Sequence, residues 1–153
     1  MPWTRKVLIS KGFVGIAKTV GEHILKKRLE AGLTQDELAA KFDVDSSTVL
    51  KWERGHVKTI PATRMPALIN FLGYNPEIEP DTVGARLRWK RRSLGWTCVE
   101  AARRNCVDPS TWETWEKLNG WPAYPRFRDF LREFLAMRVD DLVVGTRQVR
   151  PAV

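Results

Sequence analysis

Displaced by 63 residues against itself, the chain repeats: Thr19-Val20-Gly21 falls on Thr82-Val83-Gly84, Lys27-Arg28 on Lys90-Arg91, Gly32 on Gly95, and Thr34, Glu37 and Ala39 on Thr97, Glu100 and Ala102. The match continues through Val44-Asp45 on Val107-Asp108, Ser47-Thr48 on Ser110-Thr111, and Trp52-Glu53 on Trp115-Glu116. These are 15 identities in the 35 positions from 19 to 53, where unrelated segments share about 2 by chance. In a chain of 153 residues, such a duplication calls for two small modules rather than one large domain. The expected division is a basic arm (1–18), a first module (19–75), a linker (76–81), a second module (82–144) and a basic tail (145–153). The junction Tyr74-Asn75-Pro76-Glu77-Ile78-Glu79-Pro80-Asp81 carries the prolines and acids of a short, fairly stiff connector.

Each module reads as a string of short helices. Val20, Ile24 and Leu25 form a stripe at helical spacing, and Gly32 supplies a left-handed stop. Thr34 and Glu37 have capping-box spacing ahead of Leu38, Ala39 and Phe42, and Thr97 and Glu100 repeat it. After a two-residue gap, Asp45 is a suitable N-cap for a helix reaching Gly55, and Asp108-Pro109 marks the equivalent start in the second module. Further helices are expected from Pro61 to Leu72, before Gly73, and from Pro125 to about Arg138. Nothing alternates like a strand, so the expected class is all-α.

Composition narrows the function. Apolar residues at 43% and charged residues at 29% are ordinary globular values, which exclude wholesale disorder and fibrous repeats. No run approaches the ~20 apolar residues of a membrane span, and Arg5, Lys6, Lys11 and Lys18 interrupt the first 18 residues, so neither an anchor nor a signal peptide is expected. Cys98 and Cys106 are too few for a disulfide framework or a structural zinc site, which suggests a reducing, cytoplasmic setting. The net charge of +8 favours a polyanionic partner over a neutral one.

Two capped helices joined by a very short turn make a helix-turn-helix, which holds its second helix where it can enter a major groove. Gly32-Leu33-Thr34-Gln35-Asp36-Glu37-Leu38-Ala39, then Val44, Ser47-Thr48-Val49 and Trp52-Glu53-Arg54-Gly55, resembles the phage-repressor and Cro class of domains, the XRE family of bacterial regulators. The likeness covers residues 19–75 and, more loosely, 82–136. It implies two tandem lambda-repressor-like helical modules and a transcriptional regulator that binds specific double-stranded DNA. A nucleoid-associated location would follow.

By that resemblance Ser46, Ser47, Leu50 and Lys51 take the base-reading positions, with Lys51 suited to guanine, the serines to several bases and Leu50 to a thymine methyl. Gln35, with Thr34 and Lys58, takes the place of a phosphate contact at a helix N-terminus. The plainer account of these residues is helix capping by the serines and a solvated lysine. Arg28 with Glu53, and Arg91 with Glu116, resemble the family's ion pair between its first and third helices, a structural role.

The second module keeps this framework and changes the reading positions. Gln35, Ser46, Ser47, Leu50 and Lys51 are matched there by Cys98, Pro109, Ser110, Glu113 and Thr114, which removes a phosphate donor and a cation and adds a carboxylate. Asp43 and Cys106 stand where many relatives have glycine, and Asn105 replaces the apolar Phe42. The second module is thus expected to read bases poorly. Its Arg86, Arg88, Lys90, Arg91, Arg92, Arg103 and Arg104 suggest a clamp on the DNA backbone, with Arg103 and Arg104 foremost. The rival account is a protein-binding surface. Trp115 is expected in the core, and the pattern leaves the facing of Trp89 and Trp112 open.

The eight junction residues from Tyr74 to Asp81 span at most about 26 to 29 Å, comparable with the ~34 Å between half-sites once module width is added. One chain can then act as a pseudo-dimer, and a homodimer is the other arrangement. Arg5 and Lys6 of the arm are candidates for a minor groove, against a plain tail. An enzyme is the weakest reading: His23 and His56 have no metal-ligand spacing, no phosphate-cradling loop occurs, and Tyr74 and Tyr124 sit beside prolines. No cofactor, metal or membrane partner is expected. The main alternative is a protein-interaction module, an antitoxin or anti-regulator reusing the same fold.

Overall fold

The computed structural model describes residues 16–138; Arg5 and Lys6 of the arm and the tail from Gly145 lie outside them. The described chain runs α1 (Val20–Glu30), α2 (Gln35–Phe42), α3 (Ser46–Glu53), a 3-10 turn (Ala62–Arg64), α4 (Met65–Leu72), α5 (Val83–Ser93), α6 (Cys98–Arg104), α7 (Pro109–Glu116) and α8 (Pro125–Ala136). Among the described residues there is no strand. They fall into two compact units, one of residues 16–60 and 67–77 and the other of 61–66 and 78–138.

In the first unit, α1 opens on a capping box that the repeat pattern hid. Thr19 accepts from the Glu22 amide, and the Glu22 carboxylate accepts from the amides of Lys18 and Thr19. Those amides, Lys18 first, hold the Glu22 carboxyl below its ordinary range. After α1, Gly32 takes φ +67° and the Leu33 amide donates back to Arg28 O at 3.1 Å, the closure that a left-handed residue permits. Thr34 and Glu37 then form a full capping box, 3.1 and 2.8 Å. The turn into α3 pivots on Asp43 at φ +51°, with the Val44 amide on Ala39 O at 3.0 Å. Asp45 occupies the N-cap position with an extended backbone, yet its side chain makes no capping bond. Ile24, Leu38 and Val49 are fully buried, and Phe42 meets Trp52 and Phe71 edge-on at 5.9 and 5.8 Å.

The helix expected from Pro61 to Leu72 is divided. A 3-10 turn precedes α4, and Pro66 sits at the second residue of α4, because a residue without an amide hydrogen is accommodated only in a first turn.

The second unit uses the same devices with different fillings. Gly95 takes φ +76° and Cys106 φ +55°, and the amides of Trp96 and Val107 close on Arg91 O and Ala102 O at 3.1 and 3.0 Å. Asp108 accepts from the Ser110 amide at 2.9 Å with Pro109 at the first helical position. Asn105, in the place of Phe42, is buried and satisfied by its own helix, donating to Ala101 O at 2.7 Å. The core gathers Leu87, Leu131 and Phe134 about Trp112 and Trp115. Trp112 is fully buried, which places its indole in the core, and Trp89 is half-buried. Helix α8 stops at Ala136 instead of Arg138, since Met137 is already extended.

Two sequence expectations need correction here. The Thr97–Glu100 box is half made: Thr97 accepts from the Glu100 amide, while the Glu100 carboxylate turns to Arg103 and Arg104. Three members of the expected clamp, Lys90, Arg91 and Arg92, are buried and so lie off the surface, while Arg88 of the same helix is exposed. Lys90 donates to the carbonyls of Phe134 and Met137 at the end of α8, where unsatisfied oxygens and the helix dipole attract a cation.

Candidate nucleic-acid interface

Helix α3 presents two faces. Val49 and Trp52 are buried, Ser46 and Leu50 are half-buried, and Ser47 and Lys51 are exposed. Among the described residues, the side chains of Ser46, Ser47 and Lys51 have no hydrogen-bond partner in the protein. Their polar atoms are therefore available to an external ligand. Arg54, which the sequence reading did not single out, follows directly as the exposed C-cap of this helix. Its signal was its position one turn after Leu50 and Lys51.

The far end of α3 is fixed by Glu53. Arg28 grips both carboxylate oxygens, Nε to Oε1 at 2.5 Å and Nη2 to Oε2 at 3.2 Å, and gives Nη1 to Leu33 O at 2.9 Å. The Gln35 side-chain amide adds a third donor to Glu53 Oε2 at 2.9 Å. One carboxylate thus joins α1, α2 and α3, with Arg28 and Glu53 side chains only 11% and 4% exposed. Gln35, expected to face a phosphate, spends one of its two amide hydrogens inward and retains one. Thr34 Oγ1 accepts from Glu37, which leaves its hydroxyl hydrogen, and Lys58 lies exposed beyond α3.

Residues 24–78 match the helix-turn-helix family model. This match supports the XRE-type reading of the segment and suggests a DNA-binding regulator. No curated protein and no solved structure matched the chain.

A comparable ion pair lies within α5 to α7. Arg91 holds Glu116 at 2.5 and 3.2 Å and gives Nη1 to Trp96 O at 2.8 Å. Glu116 also accepts from Trp112 Nε1 at 2.8 Å, and from the Cys98 thiol at 3.8 Å where the matched segment has Gln35. Burial, then the neighbouring Glu116 charge, pushes the Cys98 thiol up from its ordinary pKa. It is a protonated donor there, not a thiolate nucleophile.

On the outer face of α7, Pro109, Ser110, Glu113 and Thr114 are all exposed. The hydroxyls are nevertheless engaged: Ser110 donates to Asp108 at 2.6 Å and Thr114 to Ser110 O at 2.8 Å. The Ser110 hydroxyl and amide hold the Asp108 carboxyl below its ordinary pKa. Arg103 and Arg104 are 74% and 45% exposed and share Glu100, at 2.7 and 2.6 Å, and Arg104 lies over the Trp96 ring at 4.9 Å. Those guanidiniums, Arg103 first, lower the Glu100 pKa. A carboxylate between two arginines leaves the cluster one net positive charge rather than two.

Among the described residues, no three His, Cys, Asp or Glu side chains group as metal ligands would, and no helix is long and apolar enough to cross a membrane.

Proposed function

We propose that the chain is a transcriptional regulator that binds specific double-stranded DNA by laying α3 in the major groove. Ser46, Ser47, Leu50 and Lys51 read base edges, and Thr34, Lys58 and the remaining amide hydrogen of Gln35 hold the backbone. The observation that carries this is the state of α3 within a matched helix-turn-helix segment: anchored at one end by Glu53, with the polar atoms of its outer face uncommitted.

In the same reading, residues 82–144 are a degenerate copy of the module that assists through backbone contacts, with Arg88, Arg103 and Arg104 among its exposed cations. The chain works as a single-chain pseudo-dimer or as a homodimer, in the cytoplasm at the nucleoid. The second reading, a protein-interaction module, draws on the outer face of α7, where Glu113 stands beside committed hydroxyls.

Selection of bound DNA from a random pool, followed by gel shifts, tests the proposal. The Ser46, Ser47 and Lys51 to Ala variant loses sequence preference, whereas Arg103 and Arg104 to Ala weakens every sequence alike and flattens the salt dependence. If the triple variant selects the same sequence with the same affinity, α3 is not the reading helix.

A further inference from the structure

Within the second unit, a cavity of about 220 Å³ lies between α5 and the end of α8. We propose that it binds a small carboxylic acid with a flat apolar body. Among the described residues that border it, the cations Arg86 and Arg138 and the buried Lys90 stand against one carboxylate, Glu79. Lys90 is committed to the α8 carbonyls, so it contributes positive potential and leaves the direct contact to Arg86. Trp89, Leu135 and Met137 supply apolar wall, which rewards a ligand that brings apolar surface with its charge. The volume lies below the ~300 to 1,000 Å³ of drug-sized sites, so the ligand is small.

Glu79 indicates which anion the site accepts. Its Oε1 receives Arg86 Nε at 2.9 Å, and the two side chains are 50% and 36% exposed. Such an exposed pair adds little to stability, and a planar guanidinium holds an incoming carboxylate through two parallel bonds. The ligand therefore replaces an internal carboxylate already seated on Arg86. Its aromatic ring lies along Trp89, and Glu79, from the segment that precedes α5, is released.

Calorimetric titration of the full chain with sodium benzoate, acetate and benzyl alcohol tests this. Benzoate is expected to bind one to one with a dissociation constant below about 1 mM, with acetate and benzyl alcohol at least about tenfold weaker. Arg86→Gln weakens benzoate about tenfold or more, and Glu79→Gln, which removes the competing carboxylate, tightens it severalfold. Should Arg86→Gln unfold, as circular dichroism would reveal, the sign of the Glu79→Gln effect decides alone. No saturable benzoate binding up to about 10 mM in wild type and Glu79→Gln overturns the proposal. Equal affinity for acetate overturns it too, as does a Glu79→Gln effect that is absent or opposite.

Discussion

Helices α3 and α7 end in the same clasp and present opposite outer faces. Glu53 and Glu116 each take a two-pronged guanidinium from a preceding helix, with Nε at 2.5 Å in both. Beyond the clasp they part: the hydroxyls of α3 are uncommitted, while Ser110 and Thr114 are tied to their own helix and Glu113 adds a negative charge. The lesson is that a scaffold and its outer surface are separable. The residues that set the angle of a short helix face inward, so the outward ones can change without disturbing it.

The largest test of that separation removes a clasp. Arg28→Ala should cost about 3 to 5 kcal/mol, because Glu53 is then a nearly buried carboxylate with only Gln35 as donor. Arg91→Ala should fall at the lower end of the range, since Trp112 still donates to Glu116. Thermal unfolding followed by circular dichroism measures both, and equal, negligible losses would show the clasps to be ornamental.

Next comes the proposed reading face. Alanine at Ser46, Ser47 or Lys51 should cost about 1 to 3 kcal/mol of discrimination at the contacted base pair, visible in competition gel shifts. Alanine at Ser110 or Thr114 should leave sequence preference unchanged. Converting Glu113→Lys removes one negative charge from α7 and adds one positive charge, and the slope of log affinity against log salt should steepen by about 1. An unchanged slope would place α7 away from DNA.

Backbone strain offers a finer contrast. Cys106→Gly should stabilise by about 1 kcal/mol, because a side chain at φ +55° is strained, and Asp43→Gly by less, because aspartate tolerates that region better. Denaturant midpoints of the two variants rank them.

The smallest effect is read as a slope against pH. Burial, then the neighbouring Arg86, lowers the Lys90 ammonium pKa from 10.5 to about 8. Between those values the unfolded chain holds a proton that the folded chain has released, so the Lys90 contribution to stability rises with pH there. Subtracting the profile of Lys90→Met should isolate that rise; identical slopes would mean that Lys90 titrates normally.

Local chemistry was legible in advance: the glycine stop at Gly32, the Thr34–Glu37 box and the turn at Asp43 depend on residues within a few positions of one another. The helix 1 to helix 3 clasps came from family likeness, not from spacing. Long-range electrostatics was the blind spot. Lys90 reads as part of a basic surface until carbonyls 44 and 47 residues away arrive over it. Glu100 matched Glu37 by position, yet two following arginines, absent from the first copy, drew its carboxylate off the cap. Gln35 faced the same ambiguity, since an amide that suits a phosphate equally suits Glu53.

Glu53 also governs how the first unit comes apart. A carboxylate held by side chains from two other helices cannot leave with α3 unless both let go. Fraying at that end is then suppressed, and the amide protons of α1 and α3 should exchange with solvent through one shared free energy of opening. A short rod of two turns acquires the persistence of the whole bundle, and its outer side chains keep a fixed spacing on encounter with a ligand.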